Sequence, residues 1–154
     1  MVSHMIFAIR PVELTDYDDL RPLMDPRDPE PKAREVFAQL LGDDRWAIIG
    51  AYRDDVAVGY VAAQDYGPHL RHGDFHRTVR MHDLIITESE RGNGAGTQLL
   101  NAAIEWARGR ARYVEWQAHE TRSAPFYTKL GYTGLACPQP DYPTFTVDLR
   151  PEHQ

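Results

Sequence analysis

ERGNGAGTQLL, running from Glu90 to Leu100, sets three glycines within five positions directly ahead of an apolar pattern of helical period. Glycines permit positive φ and keep side chains off the main chain, so this turn is suited to something that approaches the backbone closely. The residues just before it, MHDLII (Met81–Ile86), end the longer stretch TVRMHDLII (Thr78–Ile86), which is expected to be a strand. A strand, a glycine turn and a helix start together suggest a phosphate site, because helix N-termini carry free N–H groups and partial positive charge.

Three phosphate-binding patterns compete for these residues. The pattern G-x-x-x-x-G-K-[ST] fails because no Lys-Ser or Lys-Thr pair follows the glycines. The dinucleotide pattern G-x-G-x-x-G would need glycine where Thr97 or Leu99 stands. The pattern R-x-x-G-x-G is met at every fixed position by Arg91-Gly92-Asn93-Gly94-Ala95-Gly96. A turn that merely packs a helix closely on a sheet is the plain alternative, and the arginine ahead of the glycines weighs against it.

Working outward, GAGTQLLNAAIEWARGR (Gly94–Arg110) is expected to be an amphipathic helix with Leu99, Leu100, Ala103, Ile104, Trp106 and Ala107 on its apolar face. YVEWQA (Tyr113–Ala118) is the next strand, which makes residues 78–118 a βαβ crossover. TRSAPFYTKLGY (Thr121–Tyr132) holds a short helix ending near Gly131, with Pro125 in its first turn. TFTVDL (Thr144–Leu149) alternates like a closing strand.

Toward the N-terminus, RWAIIGAY (Arg45–Tyr52), the turn Arg53-Asp54-Asp55 and VAVGYVAAQ (Val56–Gln64) predict a hairpin. IFAIRPV (Ile6–Val12) is a first strand, and Thr15 caps a helix carrying Tyr17, Leu20 and Met24. The prolines of DPRDPEP (Asp25–Pro31) break it. A second helix follows from Pro31, with Val36, Phe37, Leu40 and Leu41 apolar, to a stop at Gly42. The element order predicts a mixed α/β domain, antiparallel at first.

With 154 residues and 42% hydrophobic composition, the chain fits a single domain over residues 5–150 with one sizeable core. No apolar run reaches the roughly 18 residues of a spanning helix, so no membrane role is expected. MVSHMIFAIRP lacks a secretory layout, and Met5 is taken as the native start, with Ser3-His4-Met5 a cloning remnant. Cys137 is the only cysteine, sits in the proline-bounded LACPQP, and is read as chemically bland; a chain without a disulfide pair suits the cytoplasm. A net charge of −6 argues against nucleic acid and favours a cationic or neutral partner.

With DLIITESERGNGAGTQLL (Asp83–Leu100) and APFYTKLGY (Ala124–Tyr132) both in view, the chain resembles the GNAT superfamily of acyl-CoA-dependent N-acetyltransferases over roughly residues 5–150. The resemblance implies a mostly antiparallel sheet of six to seven strands, with a splayed parallel pair and helices on both faces. It implies acetyl-CoA as acyl donor without a metal, a primary amine of a small molecule as acceptor, and a homodimer. The pantetheine arm would lie against the backbone of Leu84, Ile85 and Ile86 as an added strand would. The pyrophosphate would sit on Arg91, Gly92, Asn93, Gly94, Ala95, Gly96 and Thr97, with an N–H of Ile85 or Ile86 facing the oxyanion.

Tyr127 occupies the place of the tyrosine that protonates the departing sulfur. His82 stands where relatives often carry a glutamate base, and its ordinary pKa near 6.5 suits that work. Asp83 would face the other side of a regular strand and contact substrate. Glu88 is a third candidate base, placed in the turn, and a water chain in place of a dedicated base is the remaining option. The chain departs from the family at Glu120, where asparagine is common, and at ITESER, which lacks the usual proline after the strand. His69, His72, His76 and Asp74 form a polar loop that could border the acceptor site. A zinc site there is the less favoured reading, and no metal is expected. A protein acetyltransferase and a non-catalytic acyl-CoA sensor are the alternative functions.

Overall fold

Asp54 and Asp55 both take positive φ, 51° and 65°, and join β2 (Trp46–Arg53) to β3 (Val56–Asp65). Two successive left-handed residues match the twist of the flanking strands, and aspartate tolerates this region better than most side chains. The turn is thus one residue tighter than expected, and Arg53 belongs to the strand. The computed structural model in which this is seen describes residues 7–135, 141–143 and 145–150.

β1 (Ala8–Pro11) pairs antiparallel with β2, and β4 (Thr78–Ile86) pairs antiparallel with β3. β5 (Tyr113–Glu115) adds parallel to β4, giving the order β1-β2-β3-β4-β5. β3 is buried continuously from Ala57 to Ala63, as a strand covered on both faces must be. On one face lie α1 (Tyr17–Met24) and α2 (Lys32–Leu41), whose Tyr17, Leu20, Ala33 and Phe37 pack on Ile48, Tyr52, Tyr60 and Ala62. The long helix α3 (Ala95–Ala107) buries Leu99, Leu100, Ala103 and Ala107 and packs on β2, β3 and β4. Each fully buried leucine contributes about 1.5–3 kcal/mol by leaving water.

Thr15 does not cap α1. It lies within a 3₁₀ turn, Leu14–Asp16, where the N–H of Glu13 donates to Asp16 Oδ2 at 2.9 Å. Asp16 is buried, and burial alone would raise its pKa. The Glu13 N–H, the Tyr52 hydroxyl at 2.7 Å and Arg10 outweigh that and hold it below the usual carboxylate range. Asp25, at φ 47°, ends α1 ahead of the proline segment, and Gly42 ends α2 as expected.

Five strands stand among the described residues, where six to seven were expected. The segment 145–150 forms no strand, and Phe145, Val147 and Leu149 are 91%, 79% and 77% exposed. Alternation predicts a strand only where a neighbour pairs with it and a layer covers one face. Ser3-His4-Met5, Ile6, Cys137 and Thr144 lie outside the described residues.

The chain forms two compact units, with the boundary between Gln117 and Ala118. The first contains the sheet and α1–α3. The second contains α4 (Ala124–Lys129), which has its proline in the first turn and Gly131 at φ 99° beyond its end.

Candidate active site

β5 pairs with β4 only at Thr78, Val79 and Arg80, opposite Tyr113, Val114 and Glu115. From Met81 to Ile86 the outer edge of β4 carries no strand pairing among the described residues, although its inner edge stays paired with β3. An open edge presents N–H and C=O groups in a fixed repeat, ready for another chain of peptide-like groups. Leu84, Ile85 and Ile86 occupy this edge. Gly59 sits opposite Ile86, and a methyl there would come within 2.9 Å of the Ile85 carbonyl oxygen, so glycine lets the two strands approach.

The glycine turn follows at once. Gly92 and Gly94 adopt φ of 83° and 92°, and a Cβ at either would meet, among the described residues, no atom within 4 Å beyond its own chain neighbours. These two glycines are therefore not demanded by packing of a helix on the sheet. They are demanded by backbone conformation, and the space beside them is open. Gly94 is the residue preceding α3, so the first N–H groups of a 13-residue helix point out of this turn. Arg91 folds back, its Nε donating to the Ile86 carbonyl at 3.1 Å, and so ties the turn to the end of β4.

Glu90 supplies a second tie that sequence reasoning missed. Its carboxylate receives Arg53 Nε at 3.0 Å and Nη2 at 2.7 Å, joining the residue before the turn to the end of β2. Bidentate arginine–carboxylate geometry fixes orientation as well as distance. The pairing of β2 with β3 and of β3 with β4 brings Arg53 there, so nothing local in the sequence announces it.

A bulge reshapes β4 at the candidate base. Ala62 pairs with Asp83 and Ala63 with Met81, which leaves His82 as the extra residue. The strict alternation expected for His82 and Asp83 is broken, and both side chains line the same cavity. The Asp83 carboxylate Oδ2 accepts from the Tyr60 hydroxyl at 3.3 Å. Tyr60 is buried, and burial followed by the nearby Asp83 charge pushes its phenol far above 10, so it remains a donor. His82 stacks on Trp46 with ring centroids 5.2 Å apart, and its Nε2 lies 2.9 Å from Gln64 Oε1. Burial first, and Arg80 second, push its pKa below 6.5 against the opposing pull of Asp83.

The cavity has a volume of about 210 Å³ and lies between α1, α2 and the sheet. Its walls are mainly apolar, with Met24, Val36, Phe37, Leu40, Trp46 and Ile48 among them.

Tyr127 lies on α4, in the second unit, half-buried, and burial raises its phenol above the ordinary 10. Its ring meets Phe126 edge-on at 5.1 Å. Glu120 precedes α4 and is exposed, as is Glu88 in the 3₁₀ turn Glu88–Glu90. In the polar loop His76 touches His69 and His72, with centroids 6.0 and 5.1 Å apart. Burial and these neighbours lower its pKa. Among the described residues no three His, Cys, Asp or Glu side chains are grouped to hold a metal ion. No helix among them is long and apolar enough to cross a membrane.

The family described as Acetyltransferase (GNAT) family matches residues 14–132. An uncharacterized N-acetyltransferase of Methanocaldococcus jannaschii is 29% identical over 103 residues, covering 65% of this chain and 45% of that protein. The chain thus spans less than half the length of this curated relative. Among solved structures, the aminoglycoside N-acetyltransferase AAC(6')-Iy in complex with CoA is similar with a TM-score of 0.76 and 20% identity, over 97% of this chain and 100% of that one. Glucosamine-6-phosphate N-acetyltransferase from Arabidopsis thaliana follows with a TM-score of 0.74 and 14% identity, over 90% and 99%. At such identities the two structures speak for the fold.

Proposed function

The chain belongs to the GNAT acetyltransferase family, and from that premise we propose that it transfers an acetyl group from acetyl-CoA to a primary amine of a small molecule. The observation that carries this reading is the unpaired edge of β4 from Met81 to Ile86, running straight into a glycine turn with open space at Gly92 and Gly94. One face of that arrangement suits the amides of a pantetheine arm, and the other suits a diphosphate. We assign both units to one acetyltransferase domain over residues 5–150, because the family match at 14–132 runs across the boundary at Gln117.

Acyl transfer needs a neutral amine, and an alkylamine near pKa 10 is mostly protonated at neutral pH. In the proposed reaction His82 takes that proton, since its lowered pKa keeps the imidazole neutral at pH 7. Gln64 Oε1, 2.9 Å from Nε2, holds the ring in place for this work. The amine nitrogen then bonds to the thioester carbonyl carbon, and an N–H of Ile85 or Ile86 stabilises the oxyanion. The C–S bond breaks as the nitrogen releases its second proton to solvent, Tyr127 gives its proton to the leaving sulfur, and solvent returns a proton to the phenolate. A phenol held above its ordinary pKa by burial stays protonated until it is needed. No step calls for a metal.

Thiol release in the presence of acetyl-CoA and a panel of amines tests the reading. Free coenzyme A should appear in step with an acetylated amine. Tight binding of coenzyme A with no thiol release on any amine or peptide would instead mark a sensor of acyl-CoA.

A further inference from the structure

We propose that the cavity beneath the bulge of β4 is the acceptor site, and that its substrate is a primary amine carried on a compact apolar body, with the ammonium group at Asp83. This rests on the acetyltransferase reading above and adds the chemical class of the acceptor.

Four observations converge. First, the cavity meets β4 at His82 and Asp83, immediately before the Leu84–Ile86 edge assigned to the acyl donor. Second, the volume suits a small ring. An apolar cavity of about 150 Å³ holds a benzene ring, so about 210 Å³ accommodates one six-membered ring with a short amine arm. Third, only Tyr17, Trp46, Tyr60, His82 and Asp83 of the lining carry polar side-chain groups, and Tyr60 donates to one oxygen of the exposed Asp83 carboxylate. A carboxylate has room for further donors, and an ammonium group brings three. Fourth, no arginine or lysine lines the cavity, although the chain contains 17 such residues. An anionic acceptor would therefore find no partner there.

The same walls disfavour a polyhydroxylated amine. Met24, Val36, Phe37, Leu40 and Ile48 offer no side-chain hydrogen-bonding partner, so a sugar hydroxyl packed against them would lose its water without replacement. The acceptors named for the structurally similar enzymes, an aminoglycoside and a sugar phosphate, thus do not fit this lining. Trp46, stacked on His82, supplies a flat wall beside the proposed base and suits an aromatic or alicyclic body.

The probes are 2-phenylethylamine and cyclohexylmethylamine, set against glucosamine and spermidine. With acetyl-CoA, kcat/KM should be about 100-fold higher for the two apolar amines than for glucosamine or spermidine. By calorimetry, 2-phenylethylamine should bind to the protein, and Asp83→Asn should weaken that binding at least about tenfold while leaving the uncharged 2-phenylethanol unaffected. Val36→Arg, at a partly exposed wall position, should weaken 2-phenylethylamine in the same way.

Turnover that prefers glucosamine, spermidine or a peptide N-terminus would overturn the inference while leaving the acetyltransferase reading intact. Equal loss of 2-phenylethanol and 2-phenylethylamine in Asp83→Asn would overturn the role of the carboxylate. If 2-phenylethylamine binds in an Asp83-dependent way but no amine releases thiol, the cavity recognises the amine, while the acetyltransferase reading and with it the acceptor role fail.

Discussion

The Asp65 carboxylate, fully buried, accepts Arg77 Nη2 at 2.6 Å, Arg77 Nε at 3.0 Å and the Gly67 N–H at 2.8 Å. Arg77 is the first cause that holds its pKa below the ordinary value, and it outweighs burial. Asp65→Asn should lower stability by about 3–5 kcal/mol, read from the urea midpoint, because Arg77 loses its buried counter-charge. A depressed folded pKa means that this contribution is complete above the unfolded carboxylate value near 3.9. It is lost as pH falls through the lower folded value. The direction is the same at His82, where the proposed catalysis depends on the neutral ring. Its kcat/KM should climb as pH rises through a value below 6.5 and then level off, and His82→Gln should abolish that limb. An unchanged limb in the variant would remove His82 as base. Tyr127→Phe should cut turnover about 100-fold or more with acetyl-CoA affinity near normal. Equal losses of both would remove its role as acid. His82, Asp83 and Tyr127 were legible as candidates from motif position. Their partners Gln64, Trp46 and Tyr60 were not, since only strand pairing brings them near.

At the scale of elements, the glycine turn and the bulge behave differently under sequence reading. R-x-x-G-x-G announced a strand–turn–helix junction, and the helix begins at Ala95, one residue after Gly94. Positive φ at Gly92 and Gly94 explains why glycine stands there. Gly94→Ala should therefore strain the turn and place a methyl in the open space beside α3. Affinity for coenzyme A, measured by calorimetry, should fall at least about tenfold, with a loss of stability of about 1–3 kcal/mol from the positive φ. A large drop in stability with unchanged affinity would mean that the turn serves only the fold. The bulge at His82 left no comparable mark, because an extra residue in one strand is defined only against its partner. For the same reason the pairing of β5 could be foreseen but its early end at Glu115 could not, and TFTVDL read as a strand on alternation alone.

Across the whole molecule, the order of β1 to β5 with α1 and α2 on one face and α3 on the other follows from periodicity and crossover rules that are local or nearly so. What sequence could not supply was depth: the cavity exists because Phe37 of α2, Trp46 and Ile48 of β2 and Tyr60 of β3 border space without filling it. The proposed function rests on the open edge of β4 and the turn beyond it, both main-chain features, so the decisive readout is one that follows main-chain amides. Hydrogen–deuterium exchange with and without acetyl-CoA is that measurement. Amides of residues 84–86 and 92–97 should exchange more slowly when acetyl-CoA is bound. Acetyl-CoA binding that leaves both segments unprotected, or no binding at millimolar concentration, would contradict the assignment of the site.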